Sequence, residues 1–592
     1  MLKRLSAPFR LFAASSLLAS SLVATSAKAT EPETIQPGRT LAGNYLAARI
    51  AATDQDTESA TTFYRQAMLL DSTDIGLKQR AFQAFIANGD FDEGVDLGRE
   101  LVKLDAAPEL TGIILSVDDM RSKAWKAAAA KLEKPWRSAV DRLIAGLLQS
   151  WAQAGAGDSK GALETLNGLS GPAWFDLFVD YHAGLIAVNA GDMETGLTRL
   201  EKAHANQAAG RAANYTYMRV TRALLEARWK ADDKKGAMDI SELAVRLQPQ
   251  NPVFAALLAD LTSGNGPKMS VATPQAGAAE VFMNLGTAIN RDGGSLFARI
   301  YLQLASILAP NSEAVSMQLA DLYDQIGLRA RSNELFGRVE QTSPYNRIAR
   351  LEIALNLDED GNLHAARQIM DKLIKADPMD LTAHLSYGAV LARHDKFDEA
   401  IPIYQSLIDR ISAPQRQHCA LFYRQGIAFE RTKQWPKAER AFKKALDLFP
   451  NQPSVLNYLG YSWVDMGINL QEGLDLIRKA VQIRPNDGYM VDSLGWAYYR
   501  LGRFEEAVVD LERAVSLRPA DPTINDHLGD AYWRAGRKLE ATFQWQHALS
   551  LEPSKEDEAK IRAKLENGLG DDEPASAKPE METDDEAEPD NG

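Results

Sequence analysis

The chain is 592 residues long, with 45% hydrophobic and 25% charged residues and a formal net charge of -14. That length allows several domains and a sizeable core, and the acidic balance argues against nucleic acid, whose phosphates call for a basic surface. Cys419 is the single cysteine, which excludes an intramolecular disulfide or a thiolate zinc cluster, and none of the eight histidines falls in an H-E-x-x-H frame.

Residues 1–29 read as an export signal peptide. Lys3, Arg4 and Arg10 give a positive start, residues 11–23 are apolar and small, and Ala27-Lys28-Ala29 supplies an A-x-A cleavage site. An organelle transit peptide or a membrane anchor is the alternative, although the apolar run is short for a span. With no cysteine near the cleavage point, lipidation there is excluded. No later segment has the length and apolarity to cross a bilayer, so the mature protein is expected to be soluble and exported, periplasmic or peripheral to the envelope.

Residues 30–261 carry weak helix pairs in register, beginning near 41, 75, 109, 143 and 177, with a further pair near 218. Ala60, Gly94, Ala128, Ala162 and Gly196 take the small position of each second helix. Residues 262–278 are rich in Gly, Pro, Ser and Thr, and predict a loop. It is either a hinge between two arms or a decorated turn.

Residues 279–555 hold the clear pattern. Gly495 is followed by Gly502, Ala507, Leu511, Ala514 and Pro519, and 34 residues after Gly495 comes Gly529, followed by Ala541, Ala548 and Pro553. Gly286, Ala320, Ala354, Gly388, Gly426 and Gly460 occupy the position of Gly495 in earlier periods, and Pro310, Pro344, Pro378, Pro450 and Pro485 close them. Two helices per 34 residues with small residues at these points is the tetratricopeptide pattern. The small residues let helices approach, and the proline ends the second helix. Eight repeats follow, starting near 279, 313, 347, 381, 419, 453, 488 and 522. The fold class is therefore all-α: a superhelical solenoid, in two arms joined at the loop near 262–278. Residues 556–570 predict a terminal helix. Residues 571–592, with ten acidic residues, one lysine and three prolines, are expected to be a disordered tail, either solvated or docked onto a basic partner.

In such a solenoid the first helix of each repeat lines a concave face that takes peptides. The pattern assigns to that face Tyr423, Arg431, Asn457, Tyr461, Tyr489, Asp492, Trp496, Tyr499, Arg500, Asp526, Asp530, Trp533 and Arg534. Aromatic and arginine side chains dominate protein interfaces because they bury much area and keep a polar tip. Packing between repeats is the competing role for each ring.

Catalytic motifs do not emerge. Residues 155–161 contain three glycines and a lysine but lack the Gly-Lys-Ser/Thr order of a phosphate loop. Ser462 follows Gly460 without the second glycine of a nucleophile elbow. His384 and His394 have no third ligand in view. No enzyme activity, cofactor or metal is expected.

Three segments are more specific than a generic repeat: Asn457-Tyr458-Leu459-Gly460-Tyr461-Ser462, the run from Asp492-Ser493-Leu494-Gly495-Trp496 to Gly502, and His527-Leu528-Gly529-Asp530. Here the chain resembles a family of periplasm-facing tetratricopeptide proteins, typified by the outer-membrane lipoprotein that binds and activates a carboxyl-terminal processing protease. The resemblance implies an adaptor that captures such a protease and its substrates, among them cell-wall hydrolases. The family type is lipid-anchored, whereas this chain has no cysteine at its cleavage site. A structural assembly factor for a secretion, polysaccharide-export or outer-membrane complex is the alternative.

Overall fold

The structure is a computed structural model that describes residues 38–249, 251–290 and 296–570. The expected signal peptide and acidic tail lie outside the described residues. Every regular element described is helical, and no helix among these residues is long and apolar enough to cross a membrane. The chain divides into two compact units, Thr30–Ile369 and Met370–Gly592.

The first unit opens with six helix pairs. They are α1 (Leu41–Thr53) with α2 (Thr57–Leu70), α3 (Ile75–Asn88) with α4 (Phe91–Lys103), α5 (Thr111–Arg121) with α6 (Trp125–Leu132), and α7 (Ala139–Gly155) with α8 (Ser159–Asn167). Then come α9 (Phe175–Ala190) with α10 (Met193–Ala205), a short α11 (Gln207–Ala212), and α12 (Asn214–Lys230) with α13 (Lys234–Leu247). A single helix, α14 (Pro252–Thr262), follows. The turn inside each pair is built on one left-handed residue. Gly89, Gly157 and Gly191 fill it without cost, whereas Gln55, Lys123 and Asp232 hold φ between 62° and 63° there, a region that a Cβ disfavours.

The segment read as either a hinge or a decorated turn is a packed connection. Residues 263–273 form a strap tied down by its backbone: the Ser270 amide and hydroxyl donate to Glu226, at 2.8 and 2.9 Å, and Asn189 Nδ2 donates to Val271 O at 3.2 Å. The strap leads into α15 (Pro274–Ile289), which starts five residues earlier than the spacing gives, and then α16 (Leu296–Leu308). This pair lies across the first helices of the preceding array. Helix α15 packs on α7, α9 and α12, and α16 packs on α3 and α5. The division of the chain therefore falls at residue 370 and not at 262–278, because both sides of the strap share one core. Glycine, proline and serine mark irregular backbone, but they do not say whether it is packed.

Polar side chains lock the pair in place. Arg219 of α12 grips both oxygens of Glu280 on α15, at 2.8 and 2.7 Å, and Tyr181 of α9 donates to the same carboxylate at 3.0 Å. Arg299 of α16, buried, donates from Nη1 to Gln55 O and Thr57 Oγ1, at 3.0 and 3.1 Å. A side chain at Gly277 would collide with the Trp151 ring, so α15 lies directly against α7. Burial alone would raise the Glu280 carboxyl, and the Arg219 guanidinium outweighs it and holds the group below its ordinary range. The pairs α17 (Glu313–Gln325) with α18 (Arg329–Gly337) and α19 (Asn346–Glu359) with α20 (Leu363–Ala376) continue the series, the last helix spanning the division at 370.

The second unit contains α21 (Leu381–Arg393) with α22 (Phe397–Ile408), a 3-10 turn at Arg416–His418, α23 (Cys419–Arg431) with α24 (Trp435–Leu448), and α25 (Pro453–Asp465) with α26 (Leu470–Ile483). It continues with α27 (Gly488–Arg500) and α28 (Phe504–Leu517), α29 (Pro522–Arg534) and α30 (Lys538–Ser550), and the terminal α31 (Lys555–Asn567). In four of the five pairs a glycine of the first helix receives a large side chain of the second, and in α25 with α26 Gly460 lies against the Gly473 carbonyl instead. A Cβ on Gly388, Gly426, Gly495 or Gly529 would overlap Tyr404, Phe442, Leu511 or Trp545 respectively.

Replacing Arg219 with Met strands the buried Glu280 carboxylate. The expected loss is about 3–5 kcal/mol of stability, read by urea denaturation of the full chain. Arg219→Met combined with Glu280→Leu should lose less than the single change, because no charge is then left unpaired.

Candidate functional site

The assigned face of the second unit consists of recurring positions on α23, α25, α27 and α29. Counting from each helix start, Tyr423, Asn457, Asp492 and Asp526 are fifth, and Arg431, Asp465, Arg500 and Arg534 are thirteenth. In the fifth-position row after Tyr423, each residue reaches the following first helix. Asn457 Nδ2 donates to Ser493 Oγ at 3.2 Å, His527 Nδ1 sits 3.0 Å from Asp492 Oδ1, and Lys564 Nζ of α31 donates to Asp526 Oδ2 at 2.8 Å. The row is thus a ladder that ties repeat to repeat.

Around it the rings stack. Trp496 lies between Tyr499 (centroids 4.7 Å apart, planes 11°) and His527 (4.2 Å, 19°). Asp530 accepts from Lys564 Nζ at 2.8 Å and from Trp545 Nε1 at 2.9 Å. Trp533 is tilted against Trp545, with Lys538 Nζ 4.9 Å from its ring. Arg534 Nη2 donates to Gly570 O, and Arg500 Nη1 to Asp465 O, at 2.8 and 2.9 Å.

Seven assigned residues, Asp492, Trp496, Tyr499, Asp526, Asp530, Trp533 and Arg534, are therefore brought together over α27, α29 and α31. Tyr489 stands apart under the Arg518 guanidinium, 5.0 Å from its ring, and Arg431 lies beside the Phe397 ring of α22 at 5.2 Å. Tyr461 is half-buried on α25. Tyr423 is half-buried on α23. It packs against Phe442 and Tyr458, its hydroxyl is buried, and burial pushes its pKa up.

His527 and Lys564 escaped the sequence assignment. Their partners come from the preceding first helix, and only the 35-residue interval from Asp492 to His527 could have signalled the pairing. Both are electrostatically tuned. Burial by itself would lower the His527 pKa, and the Asp492 carboxylate outweighs it and raises the group. Burial pushes Asp530 up to about 6, against the pull of Lys564. Among the described residues, no group of three or more His, Cys, Asp or Glu side chains is placed to hold a metal ion.

Three segments match known repeat families. Residues 351–415 and 419–452 match family models described as tetratricopeptide repeat, and residues 495–536 match one described as TPR repeat. A 148-residue stretch is 25% identical to the TPR repeat-containing protein PA4667 of Pseudomonas aeruginosa, covering 25% of this chain and 24% of that one. A 179-residue stretch is 26% identical to the cellulose synthase operon protein C of Pseudomonas fluorescens, covering 28% of this chain and 14% of that one. The chain thus spans a quarter or less of the length of either relative. Among solved structures, the Cut9 and Hcn1 hetero-tetramer matches over 89% of this chain and 96% of its own, at 13% identity and a TM-score of 0.37. The chain carries tetratricopeptide repeats in an all-helical solenoid fold, an architecture that serves as a scaffold for binding proteins or peptides.

A histidine raised in the folded state adds stability that is complete below its unfolded pKa and fades as pH rises through the folded value. Asp530, raised to about 6, acts in the same direction, from the unfolded carboxylate range upward. Urea denaturation of the full chain should therefore show stability falling as pH rises through and above the ordinary histidine range more steeply in the wild type than in His527→Gln.

Proposed function

We propose that this chain is a non-catalytic adaptor of the bacterial cell envelope, acting in the periplasm. Through the first helices of its second unit it recruits substrates to a carboxyl-terminal processing protease or a cell-wall hydrolase system. The observation that carries the reading is a contrast between equivalent faces. In the first unit the inner sides of α3, α5, α7 and α12 are covered by α15 and α16. In the second unit the same side of α23, α25, α27 and α29 presents Arg431, Tyr461, Arg500 and Trp533 in partly exposed positions, one repeat after another. Rings and guanidinium groups in a row suit a peptide laid across several repeats, with hydrogen bonds to its backbone or carboxylates.

Recruitment asks for no chemistry from the scaffold. Holding two partners on one chain raises the concentration of each as seen by the other, which accelerates processing without a catalytic group. The resemblance of residues 457–549 to the protease-binding family supports the choice of partners. A second reading, an assembly factor for polysaccharide export, is favoured by the match to the cellulose synthase operon protein.

Affinity capture of the exported chain from an envelope extract, with mass spectrometry of the retained proteins, separates the two. A processing protease with wall hydrolases supports the adaptor, and export components alone would move the protein to the second reading. With a captured partner in hand, Tyr461→Ala combined with Arg431→Ala should weaken binding by about tenfold or more with helicity unchanged. Wild-type affinity in that double variant would remove this face from the interface.

A further inference from the structure

The charged groups that line α27 and α29 are largely paired with one another. Asp492 holds His527 Nδ1, Lys564 spans Asp526 and Asp530, and Trp545 Nε1 donates to Asp530. Two ring nitrogens stand outside these pairs. Trp496 Nε1 is buried without an acceptor. His527 Nε2 has no hydrogen-bond partner among the described residues and keeps contact with solvent, whereas the unpartnered Nε2 atoms of His182 and His384 are sealed in the core. Only 11% of the His527 side chain is exposed. One edge is held by Asp492, and one face lies on the Trp496 ring, with 4.2 Å between centroids and 19° between planes. What stays open is the Nε2 edge.

Asp492 decides what that edge can do. An ionised carboxylate only accepts, so Nδ1 carries a proton in both charge states of the ring. In the neutral ring Nε2 is then a bare lone pair, and in the imidazolium it is a second N–H donor. One proton therefore inverts the polarity of the contact without a change of rotamer. We propose that His527 is a specificity-determining residue of the first-helix face: its protonated Nε2 donates to a backbone carbonyl of a bound peptide, and binding of that carbonyl draws a proton onto the ring. The surroundings favour a neutral acceptor over a carboxylate. Asp492 on α27 and Asp526 and Asp530 on α29 surround the imidazole, and Lys564 on α31 and Arg534 beside Tyr499 stand against them. The protonated ring completes a balanced set of three anions and three cations, which leaves no excess positive charge for a further anion to meet. Asp492 also raises the ring against the effect of burial, so the proton is exchanged near neutral pH or above. By linkage, a peptide that prefers the protonated ring takes up a proton when it binds.

The inference rests on the first-helix face being a binding face, and the test tells the two failures apart. A random library of peptides without titratable side chains is selected on the full exported chain at about pH 6, where the imidazolium prevails. The peptides kept are those that Tyr461→Ala with Arg431→Ala weakens. Their affinity should fall by about tenfold or more between about pH 6 and about pH 8.5, with helicity unchanged. Calorimetry near neutral pH, in two buffers of different ionisation enthalpy, should show proton uptake on binding. In histidine-labelled wild type the Nε2 resonance should move towards its protonated position as peptide is added, a readout that needs no variant. His527→Gln should flatten the pH profile and abolish the uptake. Asp492→Asn offers Nδ1 a donor, which moves the proton of the neutral ring to Nε2, so binding should persist at about pH 8.5; a merely structural role for Asp492 would not produce that gain. If no selected peptide depends on the face, the binding face falls and the inference with it. Peptides that need the face yet bind equally at both pH values, take up no proton and leave the Nε2 resonance unmoved would overturn the inference alone. So would a pH profile that survives in His527→Gln, since the proton would then belong to another group.

Discussion

Everything in the second unit depends on one close approach. A bare Cα at the eighth position of a first helix admits a ring or branched side chain from the second, as Gly388 does for Tyr404, Gly426 for Phe442, Gly495 for Leu511 and Gly529 for Trp545. The notch fixes both the distance and the axial register of the two helices, because the inserted group fits at one height only. Repeated at one spacing, it aligns equal positions of successive first helices into rows. The ladder from Asn457 to Lys564 and the row of arginines are both products of that alignment, and neither would exist if pairs slid by a turn.

The first unit puts the same helix pairs to a different use. Its array is completed by its own continuation, with α15 and α16 laid over the faces that a partner would otherwise meet. The interface is unusually polar for a core. Arg219, Glu280 and Arg299 are buried there, each against named partners, and Glu226 closes over the strap at Ser270. Charges in such a place give directionality that apolar surface lacks, and they fix how α15 sits against α9 and α12. One repeat motif thus gives an inward-folded body in residues 30–369 and a row-forming stack after residue 370.

The repeat phase was legible because steric necessity writes it. Glycine under a ring and proline after a helix tolerate few substitutes, and α17, α21, α23, α25, α27 and α29 begin at 313, 381, 419, 453, 488 and 522, where the spacing puts them. Of the six opening pairs, those starting at 41 and 75 also fall in place, and the others shift by two to four residues. The overlay of α15 and α16 was not legible. It hangs on Arg219, Glu280 and Arg299, which in sequence look like the polar stripe of ordinary surface helices. At the site, helix position was readable and environment was not. Tyr423 and Tyr461 are both half-buried on the inner side of their helices, yet Tyr423 turns its hydroxyl into a ring cluster with Phe442 and Tyr458. His527 and Lys564 were hidden because their roles come from residues one repeat away.

The overlay in the first unit also bears on how the chain acquires its structure. An open solenoid adds repeats one at a time, each settling on its neighbour, and its folding can begin anywhere. Here Arg299 must find the Gln55 carbonyl across 244 residues of sequence. A chain made from its amino end exposes the inner sides of α3, α5 and α7 until residue 308 has emerged. Such long-range closure slows folding and leaves apolar surface open in the interval. The unit should therefore form as a late, cooperative event, and the interval before closure is when a chaperone would have most to protect.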